Sequence, residues 1–136
     1  MFFNKKEKNS TASNLVKIGS LLIHTAKIDE NYSIEEEKII KKTLLSLGAD
    51  NNYLDTLIEK AKMCEEDSNQ ILDFTKEIKN LPETEKVKII ESLWKIIYSN
   101  ENADMYETNL MRRLAGLLYI DDRVMGDIKE KIKKNL

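Results

Sequence analysis

The side chains best suited to chemistry in this sequence form an oxygen-rich group at Asp29, Asn31, Ser33 and Glu36. Hard cations such as calcium and magnesium are bound in proteins by several oxygen ligands at short range. A polar turn that carries Asp and Asn, and that is closed by a glutamate at a helix start, supplies such oxygens. The group therefore predicts a site for a divalent cation, with calcium or magnesium favoured over zinc.

A second group of the same kind lies 71 residues further along the chain, where Asn100 takes the position of Asp29. Its members are Asn100, Asn102, Asp104 and Glu107. The two groups together are the candidate metal ligands of the chain.

Both groups also have an interpretation that needs no metal. Ser33 with Glu36, and Asp104 with Glu107, are spaced as capping boxes, in which the two residues satisfy each other's backbone N–H groups at a helix start. The calcium-loop pattern D-x-[DN]-x-[DN]-G-x5-E fits only at its opening, since Ile34 stands where that pattern requires Gly. Neither group is therefore an EF-hand, and both the cation site and the plain caps stay open.

Few other residues are candidates for chemistry. His24 is the only histidine, which excludes a zinc or iron site built from several histidines, and we expect it to be a packed or surface residue. Cys64 lies beside Glu65 and Glu66, an unfavourable setting for a thiolate, so we expect an unreactive, partly buried side chain. Trp94 is assigned to the core. No phosphate-binding Gly-rich loop and no G-x-S-x-G motif occur, so we predict no enzymatic activity and no catalytic residues.

The composition favours one helical domain. The chain has 136 residues, of which 41% are hydrophobic, and this is enough apolar material for a core. Only four Gly and one Pro are present, too few for many tight turns between strands. The net charge of −2 does not favour a nucleic-acid partner. The basic run near the C-terminus is interpreted as a helix end, with an RNA- or membrane-binding tail as the alternative.

The compartment is predicted from the cysteine count and from the N-terminal residues. A single cysteine permits no intrachain disulfide and fits a reducing compartment. The first residues contain no uninterrupted apolar run of the kind found in signal peptides, and no transmembrane span is predicted. We therefore expect a cytoplasmic protein, with peripheral membrane association left open.

Helical periodicity of the apolar residues predicts seven helices in a single domain over residues 13–136, preceded by a flexible arm at residues 1–12. The predicted helix starts are Ser13, Ser33, Asp50, Asp67, Pro82, Asp104 and Asp121 or Asp122. Gly48 is predicted to end the second helix in a left-handed conformation. The helix after Pro82 is apolar around much of its circumference, so we expect it to be the central helix.

An internal repeat organises these helices. With the offset of 71, apolar positions match apolar positions, as at Leu22 and Leu93, and predicted caps match predicted caps, as at Asp50 and Asp121. The pattern predicts two copies of a three-helix unit with one additional helix between them. Each unit has an apolar face that it cannot bury alone, so the two copies are expected to share one core.

The repeated segments resemble the tellurite-resistance TerB-like family, which includes the N-terminal domain of membrane-anchored DnaJ-like co-chaperones. The similarity is carried by the acidic turns at residues 26–36 and 97–107 and by the Leu81-Pro82-Glu83 break, and it extends over roughly residues 14–135. The family pattern has Gly after the acidic Asp, whereas this chain has Glu30 and Glu101 there.

The resemblance implies an all-helical bundle, a role in a stress response, divalent-metal binding at the acidic turns and a surface for an unidentified protein partner. It does not imply enzymatic activity. Asn100 replaces the second Asp, which weakens the second predicted site. The first hypothesis is therefore a TerB-like interaction module of a stress or envelope response. The second is a metal-independent adaptor that holds a partner helix between the repeats, and an enzyme using clustered carboxylates is the least favoured. The oligomeric state is not predicted.

Overall fold

Seven α-helices are found in the part of the chain that the computed structural model describes, residues 2–27, 33–68, 71–99 and 103–135. Side chains are described from residue 14 onward within these ranges, except those of residues 103–108. The described ranges contain no strand, which confirms the all-α prediction, and none of their helices is long and apolar enough to cross a membrane. The helices are α1 (Phe2–Ala26), α2 (Ile34–Ser46), α3 (Leu54–Asp67), α4 (Leu72–Ile78), α5 (Glu83–Tyr98), α6 (Ala103–Leu117) and α7 (Asp122–Lys134), with a 3-10 helix at Asn51–Tyr53.

Capping side chains explain where three helical segments begin. Ser33 caps α2, as predicted. Asp121 caps α7, and Asp50 caps the 3-10 helix that precedes α3, each by accepting a 3.0 Å hydrogen bond from the backbone N–H two residues further on. Asp50 was predicted to cap α3 itself. It caps the 3-10 turn instead, because the chain makes that turn before the α-helix starts. These caps satisfy backbone groups that the first turn of a helix leaves without partners.

The first helix begins earlier than the sequence pattern predicts. Its backbone is helical from Phe2, whereas the apolar periodicity starts near Ser13. No Gly or Pro interrupts residues 1–18, so nothing in the local sequence ends the helix before the periodicity does. The flexibility assigned to residues 1–12 stays a prediction.

Three further predicted boundaries are displaced by the local backbone. Asp67 does not cap α4, because it is the last residue of α3, and Ser68 after it adopts an extended conformation. Pro82 immediately precedes α5 instead of occupying its first position. Asp104 lies inside α6, because that helix already includes Ala103.

Two helices, α1 and α5, lie at the centre of the bundle. Helix α1 packs against α2, α3, α4 and α5, and α5 packs against α1, α2, α6 and α7. The sequence predicted only α5 as central, because Ser20 and Thr25 interrupt the apolar face of α1. Both residues are buried, and their hydroxyls donate to carbonyls four residues earlier in the same helix, which removes most of the cost of burying them. The shared core includes Leu21, Leu22, Ile23, Ile89, Ile90 and Leu93.

A buried lysine joins the ends of two outer helices. The Lys86 side chain is 6% exposed, and its ammonium donates to the carbonyl of Leu118 at 3.0 Å and to that of Lys79 at 3.4 Å. These carbonyls lie just beyond α6 and α4, where helix carbonyls lack partners and the helix dipole favours a cation. Lys86 therefore fixes both helix ends against α5.

The chain turns in the same way after α2 and after α6. Gly48 and Tyr119, which are 71 residues apart, both have positive φ angles, of 104° and 57°. The hydrogen bonds that close the two turns run from Ala49 N–H to the Leu44 carbonyl (3.0 Å) and from Ile120 N–H to the Ala115 carbonyl (2.9 Å). This left-handed ending is common at helix C-termini. The prediction for Gly48 is confirmed, while duplication of the whole three-helix unit stays a prediction.

Candidate functional site

The predicted metal ligands fall only partly within the described residues. Ser33 and Glu36 are described with their side chains. Two more, Asp104 and Glu107, lie in α6, but their side chains are outside the described part of the chain. The remaining four, Asp29, Asn31, Asn100 and Asn102, lie outside the described residues altogether. The side-chain hydrogen bonds of a capping box are therefore described for the first group only.

Ser33 and Glu36 form a complete capping box at the start of α2. The Ser33 hydroxyl accepts from the Glu36 N–H at 3.1 Å, and the Glu36 carboxylate accepts from the Ser33 N–H at 2.9 Å. Glu36 is 4% exposed, so its carboxylate is held in one place against the helix start. The predicted capping box is confirmed for this pair, and a role as cation ligands stays a prediction.

Replacing Ser33 with alanine is expected to destabilise the protein by about 1 kcal/mol, because the Glu36 N–H loses its acceptor. Urea denaturation followed by circular dichroism measures this change. Glu36→Gln is the matched control, because a glutamine oxygen can still accept from the Ser33 N–H and should cost less. An unchanged midpoint in Ser33→Ala would show that the cap contributes no stability.

A second polar cluster lies where α1 ends, immediately before the first acidic turn. Glu65 of α3 is 8% exposed and places its two carboxylate oxygens against two side chains of α1. One oxygen lies 3.3 Å from His24 Nδ1, and the other accepts from the Lys27 ammonium at 2.9 Å. The His24 ring also packs against Phe74, with 5.7 Å between ring centroids. His24 is thus a packed, half-buried residue with a specific partner.

Sequence reasoning missed Glu65, although one signal pointed to it. Glu65 continues the buried stripe of α3 that includes Leu57, Ile58 and Ala61, and a carboxylate at such a position needs partners. Both of its oxygens are engaged by α1, so the cluster fastens α3 to the end of α1. The described residues contain no group of three or more His, Cys, Asp or Glu side chains placed to hold a metal ion.

Cys64 lies near this cluster without belonging to it. Its side chain is half-buried, and the Lys17 ammonium lies 3.8 Å from its sulfur. The predicted partial burial is confirmed.

A groove lies over α5, between α2 and α7, in the described part of the chain. It consists of two adjoining cavities of about 350 and 550 Å³, which share Ile39, Glu91 and Lys95 in their walls. We call it the α5 groove. Its remaining lining residues are Lys42, Thr43, Ser46, Lys88, Ser92, Ser99, Lys131, Ile132 and Asn135.

A hydrogen bond between α2 and α5 forms part of the floor of this groove. The Thr43 and Ser92 hydroxyls are 2.7 Å apart, and Ser92 is 2% exposed. Thr43 is also within hydrogen-bonding distance of the Ile39 carbonyl, at 2.9 Å. The pair holds α2 at a fixed distance from α5, so the groove is a preformed feature of the bundle.

The α5 groove is basic, although the chain as a whole is slightly acidic. Its described lining residues include four lysines and one acid, Glu91, whose carboxylate pairs with Lys131 at 3.2 Å. Lys88 donates to the Ser46 carbonyl at 3.3 Å, and it has no carboxylate partner among the described residues. This clustering of lysines could not be predicted from the sequence, because the lysines come from three helices and each has acids near it in sequence.

The described helices form an all-α bundle, which defines the broad class of the protein. A comparison with known families identifies the family within that class. The TerB family, described as tellurite resistance protein TerB, matches residues 16–130, which is most of the chain. The chain therefore belongs to the TerB family, as the resemblance in its sequence predicted. No curated protein and no solved structure matches the chain significantly.

Proposed function

We propose that this TerB-family chain is a non-enzymatic interaction module of an intracellular stress response, of the tellurite-resistance type, or of an envelope response. We further propose that its first acidic turn binds a divalent cation, calcium or magnesium in preference to zinc. The observation that carries the proposal is the family match, which spans both acidic turns. A cytoplasmic location and an unidentified protein partner belong to the same proposal.

The charges around the α2 N-terminus support a cation there. The positive end of a helix dipole repels a cation, so a site at this point needs several nearby carboxylates. The first turn of α2 supplies Glu35, Glu36 and Glu37. Glu35 is exposed, and Glu37 pairs with Lys62 at 3.3 Å. Asp29 and Asn31, just before the helix, would complete an oxygen-rich set of the kind that calcium and magnesium prefer.

Asp29→Asn is expected to abolish tight cation binding at the first turn and to leave the helices intact. The substitution removes one ligand charge and keeps the size of the side chain. Isothermal titration with calcium and with magnesium measures the affinity, and circular dichroism checks the helices. Unchanged cation affinity in this variant would contradict the assignment of the site.

Glu36→Gln separates the two roles of the capping box. The glutamine oxygen preserves the hydrogen bond from Ser33, while the carboxylate charge that a hard cation needs is lost. If Glu36 is a ligand, cation affinity should fall while stability without metal stays close to that of the unsubstituted protein. Unchanged affinity would show that Glu36 is a cap only.

The second candidate function is a metal-independent adaptor that docks a partner helix between the repeats. The α5 groove favours it, because its walls come from α2 of the first predicted unit and from α5 and α7 of the second. The groove is preformed and lies where the predicted units meet.

A further inference from the structure

We infer that the α5 groove binds an acidic peptide segment, whose carboxylates pair with Lys88 and Lys95 of α5 and with Lys42 of α2. This inference deepens the adaptor function, on which it rests, and takes the docked segment to be extended instead of helical. It is argued separately from the cation proposed at the first acidic turn, because Ser33 and Glu36, the described residues of that group, do not line the groove.

The spacing of the lysines sets the kind of ligand. Lys88 and Lys95 are seven residues apart on α5, which is about two helical turns, or roughly 10 Å along the axis. A segment with two carboxylates at about this spacing can pair with the two lysines one to one. Carboxylates three residues apart on a peptide in the extended polyproline II conformation lie on one face, about 9 Å apart, and match the two lysines. Lys42 lies across the groove on α2 and adds a third positive charge.

The charge balance of the groove selects an anionic partner. Lys42 and Lys95 form no ion pair with the described residues, and Lys88 meets only a backbone carbonyl. Glu91 is already neutralised by Lys131. The chain as a whole has a net charge of −2, so this group of lysines is a local excess of positive charge. A local positive groove on an acidic protein therefore both attracts an acidic segment and fixes where it binds.

The floor of the groove favours a peptide over a nucleic acid. Ile39 and Ile132 give apolar contact. The hydroxyls of Ser46 and Ser99 donate to the Thr43 and Ile96 carbonyls, and their oxygens can accept from the N–H groups of a peptide. The described lining residues include no aromatic side chain on which a base could stack.

The test uses nuclear magnetic resonance titration of the full chain with labelled backbone amides, with a peptide of ten glutamates as the probe at about 50 mM salt. The groove variant is Lys88→Glu/Lys95→Glu. Its matched control is Lys38→Glu/Lys76→Glu, which changes the net charge equally at two exposed lysines outside the groove. A decameric thymidine oligonucleotide and a neutral amphipathic helix of Leu, Ala and Gln are the comparison ligands.

We expect decaglutamate to shift the amides of Thr43, Ser92 and Ser99, and its dissociation constant to rise by at least about tenfold in the groove variant. The control variant should change it by less than about threefold. Absence of binding, or equal weakening in both variants, would overturn the inference, and so would tighter binding of the oligonucleotide. If the neutral helix alone binds in the groove, the acidic chemistry is wrong and the adaptor function stands. If no peptide binds there, both fail.

Discussion

Replacing Trp94 with alanine is expected to lower the free energy of unfolding by roughly 3–5 kcal/mol, the largest effect of any substitution considered for this chain. Trp94 is 3% exposed on the central helix α5. Its ring stacks on Tyr98, with 5.8 Å between centroids, and the Lys129 ammonium lies 5.6 Å from the ring centre. Removing the ring therefore leaves a large cavity and removes both of these contacts.

Urea denaturation followed by far-ultraviolet circular dichroism measures this effect, since Trp94 is the only tryptophan and its fluorescence is lost in the variant. Trp94→Phe is the control. The indole Nε1 has no hydrogen-bond partner in the described part of the chain, so phenylalanine gives up volume but no hydrogen bond. It should cost well under half as much as alanine. A negligible shift of the urea midpoint in Trp94→Ala would show that Trp94 is not part of the core.

Replacing Gly19 with alanine is expected to destabilise the protein by about 1–3 kcal/mol through overpacking. Gly19 lies on the face of α1 that packs against α3, and a Cβ added there would lie 2.9 Å from the Cβ of Ala61. The helices are also joined at this point, where the Ser20 hydroxyl lies 3.1 Å from the Ala61 carbonyl. An added methyl group must therefore push the two helix backbones apart.

A double-mutant cycle identifies the contact responsible. Ala61→Gly removes the opposing Cβ, so Gly19→Ala in that background should lose most of its cost. Thermal and urea unfolding of the two single variants and the double variant give the coupling free energy. If the changes in the free energy of unfolding simply add, the contact with Ala61 is not the reason why Gly19→Ala destabilises the protein.

Much of the fold could be predicted from local chemistry. The spacing of apolar residues predicts the helices, and Ser33, Gly48 and Asp121 mark helix ends because each satisfies a local backbone requirement. Boundaries that depend on tertiary context were displaced. Asp67 has the character of a cap, but the packing of α3 extends that helix through it.

The polar features formed by distant residues could not be predicted in the same way. Glu65 meets His24 and Lys27 only because α3 packs along α1, and neither helix alone carries that information. The α5 groove likewise draws lysines from three helices. The close approach of α1 and α3 at Gly19 could not be predicted either. It depends on Ala61, which lies 42 positions further along the chain.

The most direct test of the cation proposal is thermal unfolding of the chelator-treated protein, with calcium, magnesium, manganese or zinc added back in turn. An ion that binds only the folded state at about 100 times its dissociation constant stabilises it by about 2.7 kcal/mol, a rise in Tm on the order of 8 °C for a chain of this size. We expect such a rise with calcium or magnesium, and we expect it to disappear in Asp29→Asn. No rise with any of the four ions at millimolar concentration would contradict the cation site and leave the first acidic group with its helix cap alone.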